Sequence, residues 1–293
     1  MSPSNEEFKA GNLFDVKDKV ALVTGGGSGI GLMAVQALAN NGAKVYIVGR
    51  TEEKLTTVAE THGKGISGQI IPLIGDVTDK QDILRLAKEI ESKEKYLCIL
   101  INNAGIQATG KITPSGETAE EFRDNLFHSE GQEFDNWTAE YRTNVAQLYF
   151  MTAAFLPLLQ RASEQQHGYS GTVINITSIS GIVLKSQGHF SYNASKAAAI
   201  HLTKMLASEI SNKGIKIRIN SIAPGVYPSE MTAGESGDDM KSELPKEKYG
   251  HLPSERPGKD TDMANAILFA ATNQYLNGQI VPVDGGYLLK FGS

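Results

Sequence analysis

Seven short apolar runs punctuate the chain, at residues 20–23, 44–48, 70–74, 97–101, 172–176, 215–222 and 279–283. Helical spacing fills most of the intervals. Ile30, Met33, Ala34, Ala37 and Leu38 recur on one face until Asn41-Gly42 stops them, and further helices are predicted near 51–60, 80–91, 135–160, 192–211 and 263–271. Pro157 is expected to kink or end the long 135–160 helix. Short apolar strands alternating with helices imply a parallel sheet covered on both faces. Right-handed crossovers then make it a Rossmann-type, doubly wound α/β fold of seven strands. The rhythm continues to residue 283 without a linker, so one domain over 1–293 is expected, after an N-terminal extension at 1–15.

Composition narrows the function. Twenty-eight Lys and Arg stand against 33 Asp and Glu, a formal net charge of -5, which lacks the basic face of a nucleic-acid binder. No apolar run approaches the roughly 18 residues of a membrane span. The polar, acidic start MSPSNEEFKAGNLFD does not resemble a signal or transit peptide, so a soluble, cytoplasmic protein is expected. A lone cysteine, Cys98, excludes an intrachain disulfide, and six scattered histidines lack ligand spacing, so no metal site is expected.

The segment TGGGSGIG, residues 24–31, joins the first strand to the first helix. Gly25 allows a tight turn, Gly29 lets backbone approach a diphosphate, and Gly31 lets the helix pack closely. With Ser28 and Ile30 these residues form a candidate phosphate-binding turn, because a helix N-terminus presents free N–H groups and partial positive charge. Four further motifs follow in order: Asn102-Asn103-Ala104-Gly105 after the fourth strand, Ser178 after the fifth, Tyr192-Asn193-Ala194-Ser195-Lys196, and Pro224-Gly225 with Val283-Asp284-Gly285-Gly286 near the end. Over about residues 16–288 this series resembles the short-chain dehydrogenase/reductase family.

Tyr192 and Lys196 are four apart and share one helix face. A free tyrosine titrates near 10, and a neighbouring ammonium favours the phenolate and lowers that value. The resemblance implies that Tyr192 exchanges a proton with a carbonyl or alcohol oxygen. It makes Lys196 the partner of Tyr192 and a ligand of the nicotinamide ribose, and Ser178 a hydrogen-bond donor to the reacting oxygen. Ser180 competes with Ser178 for that role. Asn144 matches the asparagine that supports a water-linked proton path.

Cofactor choice is expected at the end of the second strand, where NAD enzymes place a carboxylate for the ribose 2′-hydroxyl. Here Gly49 is followed by Arg50, whose guanidinium suits a 2′-phosphate, so NADP(H) is expected. Asp76 and Val77 resemble the adenine contacts. Asn102 and Asn103 are expected to stabilise the central strand and contact the adenosine ribose, with Ala104 and Gly105 beside the cofactor. Pro224, Gly225, Val226 and Ser229 resemble the segment beside the nicotinamide.

Two stretches break the rhythm. Residues 106–134 are polar and irregular, and 226–262 carry four prolines with few apolar anchors. Both follow strand ends, so the first is expected to wall a substrate pocket and the second to act as a lid. His189 lies near enough to Tyr192 to touch substrate, and Trp137 either lines the pocket or anchors its helix. NADPH-dependent reduction of a small-molecule ketone is the leading reading. Oxidation of an alcohol or polyol uses the same residues, and a non-catalytic dinucleotide sensor is the reading from another class. The resemblance also implies a homotetramer packed through the helices near 135–160 and 192–211.

Overall fold

The computed structural model describes residues 4–108 and 110–292; residues 1–3 of the N-terminal extension, Thr109 of the first irregular stretch and Ser293 lie outside them. The strands are β1 (Val20–Thr24), β2 (Lys44–Gly49), β3 (Gln69–Ile74), β4 (Ile99–Asn102), β5 (Gly171–Ile176), β6 (Ile217–Pro224) and β7 (Ile280–Val283). They form one parallel sheet in the order β3-β2-β1-β4-β5-β6-β7. This is the doubly wound, Rossmann-like arrangement.

Six helices cover it: α1 (Gly29–Asn40), α2 (Glu52–His62), α3 (Lys80–Lys93), α4 (Gln147–Gln165), α5 (Phe190–Asn212) and α6 (Asp260–Thr272). Successive side chains of a strand point to opposite faces, and the core divides accordingly. Ala21, Val23, Val45 and Ile47 pack with α1, α2 and α6, whereas Val20, Leu22, Tyr46 and Val48 pack with α3, α4 and α5. The central strands are therefore apolar on both faces, which is why they read as continuous runs. The order reverses at β1, which lies between β2 and β4. The crevice opened at that switch point is where an open α/β sheet binds ligands.

Three features depart from the sequence reading. Pro157 does not end α4, which runs on to Gln165. Pro157 and Ala153 are both exposed, so the carbonyl that loses its N–H partner faces water, not the core. The 106–134 stretch holds a helix at Ala119–Phe127, where the Thr118 hydroxyl accepts from the Glu121 amide at 3.2 Å and Glu121 reaches back to the Thr118 amide. The 226–262 stretch is better anchored than its composition suggests. Tyr227 and Leu252 are each 3% exposed, Met240 packs against the first core cluster, and the Asp239 carbonyl is bonded to His62 at 2.8 Å.

Candidate active site

A cleft of about 810 Å³ runs along the carboxyl ends of β1, β2, β4 and β5. That volume falls within the roughly 300–1,000 Å³ of cofactor and small-molecule sites. Gly25, Ser28, Gly29 and Ile30 form its floor at the start of α1, Arg50, Asp76 and Val77 one end, and Tyr192 and Lys196 the other. Asn103, Ala104, Gly105 and Ser229 line the middle.

Close packing shapes the turn. A Cβ at Gly31 would lie 2.0 Å from the Gly25 carbonyl oxygen, so α1 can start this near the strand end only with glycine there. Asn103 stitches the turn to β4, its side-chain amide donating to the Thr24 and Gly25 carbonyls at 3.0 and 3.1 Å. The Thr24 hydroxyl accepts from the Asn103 and Ala104 amides at 3.0 and 3.1 Å. The first amides of α1 have no partner inside the helix, and Gly29 and Ile30 line the cleft, where a diphosphate could accept from such groups. The residues present therefore fit a dinucleotide.

At the Arg50 end, burial raises the Asp76 pKa, but the Thr78 hydroxyl and amide and then the charges of Arg50 and Arg142 outweigh it, leaving the carboxyl below its ordinary range. Not every predicted residue reaches the cleft. Asn102 is fully buried beneath it and donates to the Asn175 side chain on β5 at 2.9 Å. Gly31 packs behind the turn. Pro224, Gly225 and Val226 are not among the residues that line the cleft: Pro224 ends β6 in register with Val283 of β7, the Gly225 amide donates to the Val283 carbonyl, and the Val226 carbonyl accepts from the Gly258 amide.

At the opposite end Tyr192 and Lys196 project from the first turns of α5, and the Lys196 ammonium lies 5.6 Å from the Tyr192 ring centroid. It donates to the Ile176 carbonyl at 3.1 Å, away from the phenol oxygen. Burial pushes Tyr192 up to about 12, against the lowering influence of a hydrogen bond with Ser178. The sequence reading expected the ammonium to lower this value; in the protein, burial wins. Tyr192 therefore holds its proton throughout the neutral range. Ser178 stands beside it, whereas the Ser180 hydroxyl is turned to the Gln187 side chain at 2.9 Å.

Asn144 lies in a π turn, Arg142–Ala146, between the helix Phe134–Tyr141 and α4. Its amide oxygen accepts from the Ile106 amide at 2.9 Å, and its nitrogen donates to the Ile106 carbonyl at 2.9 Å and to Ser195 at 3.0 Å. A Cβ at Gly105 would lie 3.2 Å from the Asn144 oxygen and 3.5 Å from the Lys196 nitrogen, so the missing side chain leaves a space bordered by both.

The sequence reading passed over Glu140, Lys54 and Glu230. Glu140 is fully buried, accepts from the Ala108 amide at 2.6 Å and from the Ser191 hydroxyl, and ties the 106–108 loop to the residue preceding Tyr192. The available signal was its spacing with Asn144, Leu148, Met151 and Phe155 along one buried helical stripe. His189 is bonded to the Gln107 side chain at 2.9 Å, and burial, with the charge of Lys111, lowers its pKa.

Burial lowers the Lys196 pKa from 10.5 to about 8. That gap corresponds to about 3 kcal/mol spent on burying the charge, and the bond to Ile176 returns about 1 kcal/mol. Lys196→Met is thus expected to stabilise the cofactor-free protein by about 2 kcal/mol below pH 8, where folded and unfolded lysines are both charged. Between about 8 and 10.5 the folded lysine has lost its proton and the unfolded one has not, so wild-type stability rises with pH and the advantage disappears. Urea unfolding of both proteins across that range measures it; a difference independent of pH contradicts the assignment.

Fold and cleft together define a Rossmann-like dinucleotide-binding protein. The family described as short chain dehydrogenase matches residues 19–239, and the chain belongs to the short-chain dehydrogenase/reductase family of oxidoreductases. It is 41% identical over 287 residues to short-chain dehydrogenase/reductase PhomF of Diaporthe leptostromiformis, covering 95% of this chain and 94% of the relative. It is 33% identical to the rhamnolipids biosynthesis 3-oxoacyl-[acyl-carrier-protein] reductase of Pseudomonas aeruginosa, covering 94% and 98%. Among solved structures, the Pseudomonas aeruginosa RhlG/NADP active-site complex superposes with a TM-score of 0.77 at 29% identity, covering 94% and 98%. A 7α-hydroxysteroid dehydrogenase bound to NADH and 7-oxo glycochenodeoxycholic acid superposes equally, at 0.77 and 27% identity, covering 95% and 97%. Among the described residues no helix is long and apolar enough to cross a membrane.

Proposed function

We propose that the protein reduces a ketone to a secondary alcohol with NADPH. The observation that carries this reading is the grouping of a half-buried Tyr192 with Ser178 and Lys196 at one end of a cleft that Arg50 also lines. The hydride to the carbonyl carbon would come from nicotinamide C4 of NADPH held in this cleft. Tyr192 gives its phenolic proton to the carbonyl oxygen as that oxygen gains charge, and the Ser178 hydroxyl donates to the same oxygen. Lys196, held near the Tyr192 ring by its bond to the Ile176 carbonyl, would donate to the nicotinamide ribose. Asn144 and the space beside Gly105 offer a path for a water to return the proton. Arg50 would hold the 2′-phosphate, and no carboxylate stands at Gly49 to repel it. The 3-oxoacyl reductase relative and the NADP-bound neighbour support both halves of this reading.

The neighbour solved with NADH favours a second one, NAD-linked oxidation of a ring alcohol. A single panel separates them: 3-oxoacyl thioesters, polyketide-type ketones, keto-steroids and sugars with NADPH or NADH, and the matching alcohols with the oxidised cofactors. Faster turnover of a ketone with NADPH is expected; turnover confined to alcohols with NAD overturns the proposal.

A further inference from the structure

Lys54 lies in the first turn of α2 with its stem over the glycine-rich turn, where a Cβ at Gly27 would sit 3.5 Å from the Lys54 Cβ. Its ammonium reaches across the cleft to Glu230 at 2.6 Å, a contact between residues 176 apart in sequence. Glu230 opens the short helix Glu230–Ala233. Its carboxylate also accepts from the Ser236 hydroxyl at 3.1 Å and from the hydroxyl of Ser28 in the turn itself. The neighbouring Ser229 leans on the turn as well, and a Cβ at Gly29 would come 2.9 Å from its Cβ. A carboxylate thus engages one ammonium and one hydroxyl that both line the cofactor cleft.

This pair is open to exchange. The Lys54 and Glu230 side chains are 41% and 34% exposed, and ion pairs at such exposure contribute about 1 kcal/mol or less. A phosphomonoester carries nearly twice the charge of a carboxylate and three strong acceptor oxygens. Lys54 and Arg50 both line this cleft, so it holds a second cation besides Arg50 on the segment that follows β2. The turn offers no cation of its own at position 28, where Ser28 stands.

We infer that Lys54 is a second ligand for the 2′-phosphate of the cofactor, and that the phosphate takes Lys54 from Glu230. This rests on the NADPH reading above. Glu230 is then a specificity residue: in the free protein it neutralises Lys54, and against a bound phosphate it is a like charge that must move aside. Cofactor without the 2′-phosphate leaves the pair intact.

Calorimetric titration of the full chain with NADPH and with NADH, with no substrate present, tests this independently of turnover. Lys54→Met is expected to weaken NADPH binding roughly ten-fold and leave NADH unchanged, in line with loss of one charge-assisted bond. Lys54→Arg should retain the preference. Glu230→Gln should tighten NADPH several-fold, near the effect of removing one like charge, without affecting NADH. Equal weakening of both cofactors by Lys54→Met, or no change in either, overturns the inference. A wild-type protein that binds NADH more tightly overturns the cofactor reading itself. A wild-type NADPH preference that survives Lys54→Met leaves that reading standing and removes only Lys54 from it.

Discussion

Tyr192→Phe is expected to lower turnover by roughly 10²–10⁴-fold, the usual worth of a positioned general acid, while cofactor affinity stays at its wild-type value. The substitution removes one oxygen and keeps the half-buried ring, so packing in the first turn of α5 survives. Ser178 loses its hydrogen-bond partner, but its hydroxyl still caps the turn that follows by accepting from the Ser180 amide at 3.0 Å. The loss should therefore fall on kcat. Steady-state kinetics with the best substrate, and calorimetry with NADPH alone, separate the two quantities. A variant that keeps more than about a tenth of wild-type turnover shows that another group delivers the proton.

The second large effect is expected at Arg50. Arg50→Ala should weaken NADPH binding ten- to a hundred-fold, as loss of a charge-assisted bond of about 1.5–3 kcal/mol implies, and leave NADH nearly unchanged. Arg50 is exposed at the cleft edge, and its charge is among those that lower the Asp76 pKa. Its removal is therefore also expected to raise the Asp76 pKa toward its ordinary value. Michaelis constants for both cofactors in wild type and variant give the result. A parallel loss for NADPH and NADH would mean that Arg50 serves the adenosine half in general and does not read the 2′-phosphate.

Much of this architecture is written locally in the chain. The central strands are buried on both faces, so their apolar runs stand out, and the glycines of 24–31 mark the strand-to-helix turn by themselves. Tyr192 and Lys196 share a helix face at any register, so their pairing needed no tertiary information. What escaped depends on partners distant in sequence. Lys54 reads as one more solvated charge until the fold brings Glu230 to it. Glu140 reads as a polar residue in a helix until the 106–108 loop and Ser191 close over it. Tyr192 was legible as a proton donor but its proton affinity was not, because that depends on how deeply α5 buries the phenol. The Ala119–Phe127 helix was hidden by its charge, although Thr118 and Glu121 already had the spacing of a capping pair.

The central claim is that this cleft passes a hydride from NADPH to a carbonyl carbon while Tyr192 supplies the proton. Single-turnover reaction of the full chain with NADPH carrying deuterium at both nicotinamide C4 positions tests it most directly, using a ketone that the panel shows to be turned over. The account predicts that deuterium appears on the new carbinol carbon in the wild-type product, and that Tyr192→Phe forms the same labelled product at a rate lower by roughly 10²–10⁴-fold. A product without deuterium on that carbon, or a labelled product formed equally fast by Tyr192→Phe, would contradict it.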